Sequence, residues 1–256
     1  MFRALFVTLI TFAFILVLGL PMVVYAVITG NSDPLYRVGM LGVRIALRLA
    51  GVQLEIHGRE KIPYDHAVVY LPNHQGNCDP PAILAVLPPV LVMVKKEFFR
   101  VPVLGWGMLA CGFIPVDRRN RERAIESVEK AVACLKVGHS FVAFPEGTRS
   151  RDGRLQPFKK GVFVMAINAG VPVVPVSISG SRKIMPKGKF SIRPGRVRIT
   201  IHDPIPTAGY LSERRQVLMD RVRQAILTGL DPEEWPSTEG ASSEVASTAP
   251  DIAASS

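Results

Sequence analysis

The chain has 256 residues, enough for one substantial domain with appendages, and carries a formal charge of +10. Residues 231–256 hold six acids and no Lys or Arg, which leaves +16 on residues 1–230, a body suited to an anionic partner such as a nucleic acid, a phosphate-bearing substrate or an anionic membrane face. The three cysteines, Cys78, Cys111 and Cys134, have neither the number nor the spacing of a disulfide framework or a zinc site, so they read as small buried apolar residues and no metal is expected.

From Ala4 to Ser32 no residue is charged, and this stretch exceeds the roughly 20 apolar residues that cross a hydrocarbon core. Residues 1–32 are therefore expected to be a membrane anchor helix, spanning or, if Pro21 kinks it, re-entering the same leaflet. A cleaved signal peptide ending at Val24-Tyr25-Ala26 is the competitor; it is disfavoured because the apolar run is long for such a segment and Arg3 is its only basic flank. Residues 33–52 follow with Arg37, Arg44 and Arg48 on one face of a helix otherwise lined by Leu, Val, Ile and Met, the pattern of an amphipathic interfacial helix. The excess of basic residues after the anchor predicts that the main domain lies on the cytoplasmic face.

Residues 53–230 read as one α/β domain. Runs at 66–71, 90–94, 112–116, 140–144, 172–178 and 196–201 are rich in β-formers, and helical patterns separate several of them. The clearest helix is "NRERAIESVEKAVACLKVG", with Ile125, Val128, Val132 and Leu135 on its apolar face and Gly138 as its stop. Residues 231–256, acidic and rich in Ser, Ala and Pro, are expected to be a disordered tail.

At "YLPNHQGNCDPPAILAVL" a strand stops and a helix begins. Asp79 before two prolines fits an N-cap, and His74 with Asp79 also fits a base and its orienting partner; the segment alone supports both readings. Histidine suits a base because its unperturbed pKa lies near neutrality. "FPEGTRS" ends another strand and "GFIPVDRR" contains a third, so three loops converge if the strands are parallel. Arg118 and Arg149 offer planar forks for phosphate, Glu146 a carboxylate for a hydroxyl, and Gly147 close backbone approach. Left to itself, Glu146 pairing with Arg149 in a solvated loop is the stronger reading. The loop "TRSRDGRLQPFKKG", with Lys159 and Lys160, is a basic surface for phosphates or simply a solvated face.

These four blocks, "NHQGNCD", "GFIPVDRR", "FPEGTRS" and "VPVVPVSISG", stand in an order and at separations that resemble the glycerolipid acyltransferase family, typified by 1-acyl-sn-glycerol-3-phosphate acyltransferases, with the likeness covering about residues 35–205. The first block differs in carrying Asn77-Cys78 where aromatic or other apolar residues are frequent. The resemblance implies a mixed central sheet flanked by helices with an N-terminal membrane-associated segment. It implies His74 as general base with Asp79 orienting it, direct transfer without an acyl-enzyme, and acceptor or phosphate binding by Arg118, Glu146, Gly147, Thr148 and Arg149. Lys95 and Lys96 resemble a lysine-rich stretch of the family and, with Lys159 and Lys160, are expected to meet the donor or the headgroup. The implied partners are membrane lipids, a lysophospholipid acceptor and an acyl-CoA or acyl carrier protein donor, with no cofactor and no nucleic acid. Other lysolipids or glycerol-3-phosphate remain alternative acceptors. A lipid hydrolase using Cys78 or a serine, and a basic binding module without chemistry, are the competing classes. The remaining histidines, His57, His66, His139 and His202, have no metal-ligand spacing.

Overall fold

The computed structural model describes residues 2–117, 120–188, 190–210 and 214–236. The chain opens with α1 (Phe2–Phe14), one widened π turn (Ile15–Gly19) and α2 (Leu20–Thr29), which form one continuous helix. Pro21, the residue that could kink this helix, is absorbed: the π turn, closed by Leu20 N donating to Ile15 O, ends two residues before it, and Pro21 sits in the first turn of α2, where a missing N–H costs least. The helix is long and apolar enough to cross a membrane, and most of its side chains are exposed.

α3 (Asp33–Ala50) runs back antiparallel along it. Val7 shares a core cluster with Leu47 and Ala50, Gly42 faces the Phe14 ring so closely that a Cβ would lie 2.6 Å from it, and Val23 clusters with Leu35. Arg37, Arg44 and Arg48 remain exposed. The apolar side of α3, expected to face lipid, is thus taken by protein, because the preceding helix and the domain both pack on it.

Seven strands follow, in the order β1 (Val52–His57), β7 (Gly195–Ile201), β6 (Val173–Ser179), β2 (Val69–Pro72), β5 (Phe141–Val142), β3 (Leu91–Lys95) and β4 (Ile114–Val116) across one sheet. Only β6 and β7 pair antiparallel; every other neighbouring pair is parallel. The mixed sheet flanked by helices is therefore present. β1, absent from the strand runs read from the sequence, is separated from α3 by Gly51 in a left-handed conformation (φ 74°). Period-two alternation decides which face each residue serves. Val68 and Tyr70 join α3 and α4 (Asp79–Val86) in one core, whereas Val69 and Leu71 join α6 (Arg121–Lys136), α7 (Gly161–Ala169) and α9 (Arg215–Thr228) in the other.

Two shorter helices, α5 (Leu104–Ala110) and α8 (Ser181–Ile184), complete the α-helices among the described residues. The stripe that α6 buries is centred on Ser127, Ala131 and Leu135, and Ile125, placed on the apolar face by the sequence, is exposed. At the far end, residues 231–236, read as the start of a tail, pack on the domain. Glu234 is buried, its Oε1 accepts from Gly180 N, and its carbonyl accepts from Leu155 N. A reciprocal cap between Asp231 and Glu234 closes this turn, so its acids serve local bonding rather than repulsion. Residues 237–256 lie outside the described residues.

Candidate active site

Because β2, β6, β5, β3 and β4 are mutually parallel, the loops that leave their carboxyl ends gather at one edge. Asn73, wholly buried after β2, donates from Nδ2 to Ile178 O (2.9 Å) and accepts at Oδ1 from Ile178 N (2.7 Å). This pair of bonds replaces the ladder where β2 ends and points the next residue out of the sheet.

That residue is His74. Its Nδ1 lies 2.8 Å from Asp79 Oδ2, and its ring stacks on Phe144 with centroids 4.1 Å apart. The backbone is held on both sides: His74 N donates to Glu146 Oε1, and His74 O accepts from Ser150 N at 2.8 Å. A carboxylate that only accepts selects the tautomer with the proton on Nδ1 and leaves the lone pair on Nε2. No described residue bonds that Nε2.

Asp79 is completely buried, and its Oδ2 also accepts from Gln75 N (2.6 Å) and Gly76 N (2.8 Å). Of the two roles the sequence offers Asp79, the partner of His74 forms and the N-cap of α4 does not. A single oxygen takes all three donors, and Oδ1 has no hydrogen-bond partner among the described residues. The reason is the two prolines: Pro80 and Pro81 have no N–H to be capped, and the first available amide, Ala82 N, bonds Cys78 O. Asp79 therefore draws the preceding turn, and His74 with it, onto the start of α4.

Glu146 is also different from the expectation. It is 2% exposed, and its second oxygen accepts from Gln156 N at 3.1 Å, so both oxygens brace backbone and neither is presented to a substrate hydroxyl; nor does it pair with Arg149. Burial pushes its pKa to about 8, against two backbone N–H donors and Arg223 that pull it down. Gly147 adopts φ 70°, where the Lys159 side chain closes over it and a Cβ would stand 2.9 Å from that chain. Thr148 Oγ1 and Arg149 O both accept from Lys187 Nζ, at 3.2 and 2.8 Å. The Arg149 guanidinium makes no hydrogen bond or ion pair with a described residue.

A family model described as Acyltransferase matches residues 53–179, which contain all of this geometry except Lys187 and Arg223. A 1-acyl-sn-glycerol-3-phosphate acyltransferase of Limnanthes douglasii is 30% identical over 92% of this chain and 82% of its own. The chain belongs to the acyltransferase family. A chloroplastic 1-acyl-sn-glycerol-3-phosphate acyltransferase of Brassica napus is 37% identical over 69% of the chain, and the chain spans about half (51%) of that relative's length. The crystal structure of the 1-acyl-sn-glycerophosphate acyltransferase of Thermotoga maritima superposes with a TM-score of 0.77 at 28% identity, covering 89% of this chain and 93% of that one.

Within this acyltransferase domain the other residues singled out from the sequence separate into distinct groups. Arg118 lies outside the described residues, so its place at the site is not described. Lys96 is held by the buried Asp117, and Lys95 pairs with Glu97 at 3.3 Å. Lys159 and Lys160 are exposed, and Lys159 N donates to Pro145 O. Cys78 is buried with its thiol pushed up to about 12 by desolvation and by Asp79, so it is no thiolate nucleophile. Ser177 sits 2.7 Å from His202 Nε2, yet it is wholly buried and its hydroxyl donates to Ile226 O. Among the described residues no group of three or more His, Cys, Asp or Glu is arranged to hold a metal.

Three contributors were missed: Asn73 as a clamp, Phe144 as the platform under His74, and Lys187 as the tie on the "EGTR" turn. The first two had a signal, an amide and an aromatic at strand ends beside motif residues. Lys187, 38 positions from Arg149, had none.

Proposed function

We propose that the protein transfers a fatty acyl group from acyl-CoA or acyl carrier protein to the sn-2 hydroxyl of 1-acyl-sn-glycerol-3-phosphate, forming phosphatidic acid for phospholipid synthesis. The observation that carries this reading is the His74–Asp79 pair, with Nδ1 engaged, Nε2 unpartnered among the described residues and the ring fixed on Phe144. Nε2 takes the proton from the acceptor hydroxyl as its oxygen attacks the thioester carbonyl. Collapse of the tetrahedral adduct breaks the carbon–sulfur bond, and the imidazolium returns its proton to the leaving thiolate. Asp79 stabilises the imidazolium meanwhile and keeps the ring in register. Arg149, with Arg118 beyond the described residues, supplies positive charge for the acceptor phosphate.

The acceptor lies in a bilayer, and the N-terminal hairpin is the means of reaching it. Both its ends meet the domain: Arg3 lies beside Gly51, and α3 returns along α1 and α2 with three exposed arginines. A charged partner helix of this kind does not cross a hydrocarbon core, which favours insertion into one leaflet over a single span.

Purified protein offered acyl-CoA and acyl carrier protein donors against a panel of lysolipids, with products identified by mass spectrometry, tests the assignment. Phosphatidic acid as the main product is expected. Free fatty acid released without acceptor would replace the transferase with a hydrolase.

A further inference from the structure

We propose that the surface of the α/β domain between β3 and β4, residues 98–109, is a second membrane-contacting face that seats the catalytic edge of the sheet on the bilayer. The proposal rests on the membrane reading above and extends it from the N-terminal helices to the domain itself.

This short stretch exposes Phe98 (52%), Val101 (44%), Leu104 (36%), Trp106 (52%) and Leu109 (53%). Single exposed apolar residues are ordinary, but five within twelve positions form a patch that water disfavours. The patch is continuous with the apolar N-terminal helix: Val103 is buried in one cluster with Val23, Ala26 and Leu35, Gly107 lies against the side chains of Val23 and Leu35, and Gly19 faces Val103. Gly105 holds the close turn, since a Cβ there would fall 2.2 Å from Phe99 O, and Val103 adopts φ 62°, unusual for a β-branched residue. The backbone is thus bent so that Val103 turns inward and its neighbours face outward.

The surrounding chemistry fits a lipid surface better than a protein partner or a second copy. Arg100 is exposed at the start of the patch, where it meets phosphate headgroups, and an exposed tryptophan suits the interfacial zone, apolar in body with one N–H. The placement has a purpose. The patch begins where β3 ends, and β3 is parallel to β5 and through it to β2, so it starts from the same edge of the sheet as His74. The patch then runs back across the sheet toward the start of the parallel β4, so a domain resting on it has its Phe98 and Arg100 end at the His74 edge, beside the headgroups where the acceptor hydroxyl lies.

The chain has only two tryptophans, Trp106 and Trp235, which makes a direct test available. Full-length protein carrying Trp235→Phe is bound to phosphatidylcholine and phosphatidylglycerol vesicles, with and without lipids brominated on the upper acyl chain. Blue-shifted Trp106 emission that the brominated lipid quenches is expected. Protein that pellets with the vesicles while Trp106 stays red-shifted and unquenched would overturn the inference and leave the N-terminal anchor standing. Protein that remains in the supernatant would overturn both. A shift of Trp106 emission that depends on protein concentration without vesicles would assign the patch to self-association instead.

A second variant, Trp106→Asp with Leu109→Asp, changes only outward-facing positions. Turnover of a long-chain acceptor in vesicles should fall about tenfold or more, equivalent to roughly 1.4 kcal/mol of interfacial binding, with a dispersed short-chain acceptor unaffected. Equal losses on both acceptors would place these residues in the reaction site and sink the membrane role.

Discussion

At the scale of single residues, the site is built from groups whose freedom has been removed. His74 is fixed through its ring nitrogen, its ring face and both backbone polar groups. Replacing it with Gln keeps a polar side chain but no base, and should lower kcat by about 10²- to 10⁴-fold without loss of fold. Near-normal turnover would end the general-base assignment. Arg149→Ala should act differently, raising KM for a phosphate-bearing acceptor by about tenfold to a hundredfold, the worth of a charged hydrogen bond; an unchanged KM would remove it from the headgroup site. Glu146 makes a prediction about stability. Its folded pKa of about 8 stands above the unfolded value of 4.5, so the folded state binds the extra proton between those values and stability declines as pH rises through that window. Asp79 and Arg223 are the charged groups that bear on it, in opposite directions. Thermal unfolding of wild type against Glu146→Gln should show the variant gaining relative stability from about pH 5 to about pH 8, and a constant difference would mean that Glu146 stays ionised throughout.

Among the elements, the decisive device is the clamp that Asn73 makes across β2 and β6. Its two bonds are formed in full burial, and without them Ile178 N and O lose their partners at the point where the catalytic loop begins. Asn73→Ala should therefore cost about 2–4 kcal/mol, read from the denaturant midpoint; a midpoint within error of wild type would refute the clamp. The elements also mark how far a linear chain can be read. The six strands expected from apolar runs all formed, because a strand buried on both faces is written as a continuous run of β-formers. β1 was missed because "VQLEI" continues the apolar spacing of the helix before it, and only Gly51 in its left-handed conformation separates the two. Ile125 was misplaced because which stripe of α6 is buried depends on what packs against it, and Ser127 beneath Pro115 O decides that.

On the scale of the whole molecule, the N-terminal helices and the domain behave as one body with an apolar side. The protein should remain in the membrane fraction after washing at high salt and leave it only with detergent, because burial of apolar surface is insensitive to the screening that weakens charge pairs. Release by salt alone would show that the basic body, not the apolar helix, holds it there. Taken by itself, the sequence determined the alternating architecture and the apolar N-terminal segment, since each is written in local periodicity, and it put His74 and Asp79 within reach of one turn without deciding whether they pair. What only the tertiary structure decided was the work of groups far apart in the chain: Lys187 tying the Arg149 turn, Ser150 and Glu146 holding His74, α3 folding back on α1, and one oxygen of Asp79 taking every donor. Those contacts depend on which strands are neighbours and which face is buried, and no local pattern records either.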